Sequence, residues 1–281
     1  MAIGSDQTPG AAAPALLDLA VSIAREAGEL TLGYFGSKSL DVERKGDGSP
    51  VTEADRRAEQ LARDRILAAY PDDSIIGEEF DDVSGSSGRT WVIDPIDGTH
   101  SFVCGVPLYA TLIAVIDEHG PAIGAVNIPA LGELVAAGRG LGATFNGEPT
   151  AVGTTRDVAK STVTTSGFDY LSEESSLAIR DTGASFRTWG DGYGYVLVAT
   201  GRVDAMVDAP GLSLWDVAPM NVVIPEAGGT ITSWSGVPLP QGGATLASNG
   251  HVHQDLLDVL EPTLPGASHA KPTEAIRTEG T

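Results

Sequence analysis

Cysteine is almost absent: Cys104 stands alone in 281 residues, so no disulfide can form within the chain. A lone thiol fits a reducing, cytoplasmic setting. Long apolar runs are missing too, and nothing approaches the roughly 18 residues of a membrane span. The stretch from Ala11 to Ala24 is apolar but follows a leader without a basic residue, which does not read as a secretory signal. Positive charge is scarce, with 17 Lys and Arg against 38 Asp and Glu, for a net charge of −21. Such a surface excludes nucleic acid and anionic membrane as partners, because both need a basic footprint. It also hinders an anionic substrate unless bound cations invert the local field. By itself the acidity speaks of solubility or salt adaptation.

What remains is ordinary soluble material, 42% hydrophobic and 20% charged, enough for one large domain or two small ones. Residues 1–13 read as a disordered leader and 265–281 as a flexible tail, both rich in small and polar residues. Leu16, Leu19, Ile23, Ala27, Leu30 and Tyr34 recur at helical spacing, and Gly36 supplies a stop. Thr52, with Asp55 three residues on, caps a second helix reaching about Tyr70. Strand-like runs follow at Ser74–Ile76, Thr90–Asp94, Ala110–Ile116, Pro121–Ile128 and Glu133–Ala137, and Asn146-Gly147 marks a tight turn. Beyond about residue 155 strands and helices alternate, with one helix expected over Leu214–Ala227 and the last over His251–Leu260. The expected class is α/β with an α+β N-terminal part: subdomains 14–154 and 155–264 in one unit.

Three acidic clusters stand beside chain-breaking signals rather than on solvated helix faces: Gly77-Glu78-Glu79, Asp94-Pro95-Ile96-Asp97-Gly98-Thr99, and Trp215-Asp216. The second is the most informative. An apolar strand runs into Asp94, Pro95 removes a ladder donor, and Asp97 follows across a turn. Two carboxylates at a strand end, with free amides just beyond at Gly98 and Thr99, suit a divalent cation and a phosphate. Hard oxygen donors favour Mg²⁺. The alternative is a capped turn with exposed acids.

Together these residues resemble the inositol monophosphatase family of lithium-sensitive, magnesium-dependent phosphatases, over about residues 15 to 262. The resemblance implies a sugar-phosphatase-like αβαβα sandwich of alternating helix and sheet layers, a homodimer, and two to three Mg²⁺ per site. It implies that Glu78, Asp94 and the Ile96 carbonyl hold a first ion, and Asp94, Asp97 and Asp216 a second, with a looser third near Glu78. Asp55 would pair with Thr99 to orient the attacking water, and the Gly98 and Thr99 amides would bind phosphate. Lys45 matches a loop lysine near the site. Glu79 is expected behind the ligands or exposed.

Within that family the chain looks most like the bacterial histidinol-phosphatase branch of histidine biosynthesis. The likeness lies in Gly105 to Ala114, Asn127 to Glu133, and Trp189-Gly190-Asp191-Gly192-Tyr193-Gly194-Tyr195. The small phosphate ester implied is L-histidinol phosphate, with inositol 1-phosphate or a sugar phosphate as the alternative. Asp191 and then Asp208 are the candidates for its cationic end. A helix cap for Asp191, a strand end for Asp208 and plain packing for Tyr193 and Tyr195 stay open. His100 and Ser101 depart from the Lys and Asn that many members carry there. Cys104 is expected as a small buried residue, and His251 and His253 as surface residues.

Overall fold

The computed structural model describes residues 10, 12–37, 42–44, 50–238 and 242–264; Lys45, most of the leader and the tail fall outside them. Ala12 is buried, and its N–H donates to the Arg139 carbonyl at 2.8 Å, so ordered chain precedes the first helix. That helix, α1 (Pro14–Leu32), opens with Pro in the first turn, where a missing N–H is harmless, and buries Leu16, Ala20, Ile23, Ala27 and Thr31. An antiparallel pair, β1 (Val42–Arg44) and β2 (Pro50–Thr52), leads into α2 (Glu53–Ala69). This pair was not legible in the sequence.

Next come β3 (Ser74–Gly77), β4 (Thr90–Asp97), the short α3 (Thr99–Val103), β5 (Ala110–Asp117), β6 (Gly120–Ile128), β7 (Glu133–Gly138), β8 (Gly142–Phe145) and β9 (Glu148–Pro149). Their strands form one seven-stranded sheet in chain order, parallel only between β3 and β4. The β8–β9 turn places Asn146 and Gly147 at φ 51° and 88°, the left-handed backbone that this pair tolerates best.

The second sheet has five strands, in the order β11-β10-β12-β14-β13. Its elements are β10 (Thr162–Thr164), α4 (Glu173–Asp181), β11 (Ser185–Arg187), α5 (Asp191–Ala199), β12 (Ala205–Asp208), α6 (Leu214–Val217), α7 (Met220–Glu226), β13 (Thr230–Ser233), β14 (Thr245–Ser248) and α8 (His253–Leu260).

Alternation along the strands divides the core into layers. One face of the larger sheet packs Ile113, Val115 and Ile123 against Ile23 of α1 and Ile66 of α2. The other packs Leu112, Val126 and Val135 against Val196 of α5 and Val223 of α7. Those central helices also meet Met206 and Ala247 of the smaller sheet, whose far face carries Val163 and Val207 against Ile179 of α4 and Leu256 of α8. The order is α, β, α, β, α, as expected.

Three local expectations need correction. The single helix over 214–227 is two, α6 and α7, because Pro219 has no N–H to continue the ladder and caps α7 instead. His253 is buried, with Nε2 2.9 Å from Thr232 Oγ1 and Nδ1 2.9 Å from Ser248 Oγ, and burial holds its pKa down to about 4. Cys104 is exposed: α3 ends beside it, and residues 103–107 all face solvent. Among the described residues no helix is long and apolar enough to cross a membrane.

Candidate active site

The site begins with the pairing of β3 and β4. Gly77 lies beside Ile93 in parallel register, so Glu78 emerges next to Asp94 as β3 ends. Pro95 interrupts the ladder, and the register against β5 slips between Asp94 and Asp97. Asp94 Oδ1 accepts from the Ile96 N–H at 3.0 Å, folding the carboxylate back over the turn. Gly98 then adopts φ 76°, which a glycine meets without strain, and α3 starts.

Asp216 arrives from far along the chain. It is the third residue of α6, where the Ser213 N–H donates to its Oδ2 at 2.7 Å in a reciprocal capping box. Asp94, Asp97 and Asp216 thereby offer oxygens that all lie within 4.8 Å of one another, a group able to hold a metal ion. Glu78 shares a hydrogen bond with Asp94 and lines the same hollow as Asp97 and Asp216. Among the described residues lining that hollow none is cationic.

The electrostatics follow. Burial, then the charges of Glu78, Asp97 and Asp216, push Asp94 well above the usual carboxylate range. Asp97 moves the same way through burial, followed by Asp191 and Asp216. Asp216 rises to about 7, chiefly by burial and against the Ser213 bond. A divalent ion is what would remove this mutual repulsion, and the donor set of hard oxygens fits Mg²⁺.

Asp55 sits at the start of α2 with 1% exposure. Its Oδ2 accepts from the Thr52 N–H at 2.8 Å and from the Thr52 hydroxyl at 2.6 Å, whereas Oδ1 is buried without a partner. Burial outweighs those bonds and lifts its pKa to about 6, with a contribution from the charge of Glu78. Asp55 and Thr99 are not hydrogen-bonded to each other. The capping box occupies Asp55 Oδ2, and Thr99 Oγ1 donates to the Ile96 carbonyl at 3.0 Å.

Asp191 opens α5 at φ 52°, with Gly190 rather than itself as the cap. Its carboxylate lies against the Gly98 turn: a Cβ on Gly98 would meet Asp191 Oδ2 at 2.8 Å. The next amide, of Gly192, donates to Asp97 Oδ2. Asp208, buried at the end of β12, accepts from Ser166 Oγ at 2.6 Å and from the Tyr195 hydroxyl at 2.8 Å, and Ser166 Oγ in turn accepts from the Asp191 N–H at 2.9 Å. Tyr195 is therefore a buried partner of Asp208, while Tyr193 packs partly buried against the central core. His100 is exposed.

Sequence reasoning missed Ser166, Tyr170 and Trp215 as walls of the hollow. Ser166 and Tyr170 carry no local signal, since only the second sheet brings them to the first. Trp215 did flank a singled-out acid.

The inositol monophosphatase family profile matches residues 14–264. A histidinol-phosphatase of Chlorobaculum parvum is 44% identical over 249 residues, spanning 87% of this chain and 96% of the relative. A histidinol-phosphatase of Mycobacterium tuberculosis is 39% identical over 253 residues, with 87% and 97% covered. The solved structure of an IMPase from Thermotoga maritima superposes with a TM-score of 0.79 at 30% identity, over 88% of this chain and 97% of that one.

Proposed function

The chain belongs to the inositol monophosphatase family and is a phosphoric monoester hydrolase, and from that premise we propose that it converts L-histidinol phosphate to L-histidinol, in the cytoplasm and as a homodimer. Residues 14–154 supply Asp55, Glu78 and the Asp94 to Thr99 turn, and residues 155–264 supply Asp191, Asp208 and Asp216. Glu78, Asp94, Asp97, Asp216 and the Ile96 carbonyl would hold two to three Mg²⁺. Such ions lower the pKa of a bound water toward neutrality and neutralise phosphoryl oxygens.

The side chains do the rest. The first amides of a helix lack intrahelical partners, so Gly98 and Thr99 at the start of α3 can hold the phosphate. Asp55 Oδ1, a buried acceptor without a donor, would take a hydrogen bond from the attacking water. The acids of the hollow would be engaged with the metal ions, so attack is expected to be direct and in line by water, without a covalent phosphoenzyme.

One observation carries the choice of ester: the Asp191 carboxylate packs against the phosphate turn at Gly98. In histidinol phosphate the ammonium group sits only two carbons from the ester oxygen. A phosphate seated at Gly98 therefore brings that cation to Asp191, with Asp208 adding negative charge from below and Tyr170 an aromatic wall. The test is a turnover panel in Mg²⁺ with L-histidinol phosphate, myo-inositol 1-phosphate, fructose 1,6-bisphosphate and adenosine 3′,5′-bisphosphate. The highest kcat/KM is expected on histidinol phosphate; a higher value on inositol phosphate would make this an inositol phosphatase.

A further inference from the structure

One face of α2 carries Asp55, Glu59 and Arg63, each one turn beyond the last. Glu59 and Arg63 lie outside the hollow, yet both are buried, with side chains 0% and 6% exposed, and they pair at 2.7 Å. Their remaining bonds all go to one short segment. Glu59 Oε2 accepts from the Glu79 N–H at 2.8 Å. Arg63 donates to the Phe80 carbonyl at 3.0 Å and the Asp81 carbonyl at 2.9 Å, and its guanidinium lies 5.7 Å from the centre of the Phe80 ring. On the other flank the pair packs on bare backbone, since a Cβ at Gly77 would meet Glu59 Oε1 at 2.1 Å. Residues 77, 79, 80 and 81 are thus gripped on both sides of Glu78.

A buried ion pair adds little net stability over apolar side chains of the same volume, so stability does not account for it. What it supplies is fixed geometry for a backbone segment that leaves the sheet. We propose that Glu59 and Arg63 are positioning residues that aim the Glu78 carboxylate at the metal site and hold it in register with Asp55 on the same helix. The inference rests on the reading of Glu78 as a ligand.

Two variants test it in the full chain: Glu59→Gln, and the double change Glu59→Gln/Arg63→Met, which removes both charges while keeping volume. Mg²⁺ binding is measured by calorimetry without substrate, after circular dichroism has verified the fold. Both variants are expected to bind Mg²⁺ about ten-fold more weakly or worse, as when the partners of metal ligands are removed elsewhere. Turnover should recover at saturating Mg²⁺. A purely structural role would lower Tm and leave the affinity of the folded protein unchanged. Wild-type affinity in a folded double variant therefore overturns the proposal. Glu78→Gln separates the two readings. If it loses affinity while the α2 variants keep theirs, only the positioning role fails; if it keeps wild-type affinity, the ligand assignment fails first and the positioning role with it.

Discussion

Asp191 combines three unfavourable circumstances in one residue. Its φ of 52° suits glycine better than a residue with a side chain. Its carboxyl is partly buried, and beside Asp208, so that lost hydration and then that charge lift its pKa to about 6. Nothing in the packing demands the charge. Asp191→Asn keeps a side chain that tolerates left-handed backbone and removes the repulsion. We expect it to raise the Tm of metal-free protein and to lower kcat/KM on histidinol phosphate by ten-fold or more, the weight of about 1.5–3 kcal/mol for a charge-assisted bond. Inositol phosphate turnover should change little. Equal losses on both esters would remove Asp191 from substrate recognition. Asp94, Asp97 and Asp216 were legible because each stands beside a break written into the chain, at Pro95, Gly98 or Pro219. Ser166, Tyr170 and Glu59 were not, because their roles depend on which residues folding brings alongside, and local spacing holds no record of that.

At the scale of elements, the caps and close approaches set the site. Thr52 closes the N-terminus of α2 and holds Asp55 at the same time. Thr52→Ala is expected to cost about 1 kcal/mol of stability, a few degrees in Tm, and to depress turnover as well, because Asp55 loses its anchor. Unchanged turnover would show that Asp55 needs no such restraint. Gly124 on β6 lies against the start of α7: a Cβ would meet the Pro219 carbonyl oxygen at 2.3 Å. Gly124→Ala should destabilise by about 1–3 kcal/mol, seen in thermal melts, since the start of α7 must move off the sheet. Helices and strands with strong periodicity were readable to within a few residues. The break at Pro219 was not, because the apolar pattern of 214–227 continues through it and only the missing donor divides it. The β1–β2 pair escaped for the opposite reason: three-residue strands carry too little alternation to see.

For the whole molecule, the acids of the site set the pH response. Asp55 and Asp191 near 6, Asp216 near 7, and Asp94 and Asp97 higher than usual all hold protons in the fold that the unfolded chain releases near 4. Raised values mean that their contribution is present at low pH and lost as pH rises through about 6 to 7. His253 acts oppositely, because its value near 4 makes the fold lose stability as pH falls below about 6.5. One histidine is outweighed by five carboxyls. Metal-free protein is therefore expected to melt at lower temperature at pH 8 than at pH 5.5, and Mg²⁺ to raise Tm more at pH 8, because the ion displaces fewer protons there. Scanning fluorimetry with chelator and with Mg²⁺ checks both; a larger Mg²⁺ effect at the acidic pH would contradict the ligand assignment.

The absence of any cation among the described residues lining the hollow dictates a sequence of arrival. Stripped of ions, the described walls of the cleft meet an incoming phosphate with five carboxylates and repel it. The ions must enter first, and the ester can follow only onto the positive surface they create. Catalysis is then compulsorily ordered: calorimetry in chelator should register no heat on adding histidinol phosphate, and the same titration after Mg²⁺ should show binding.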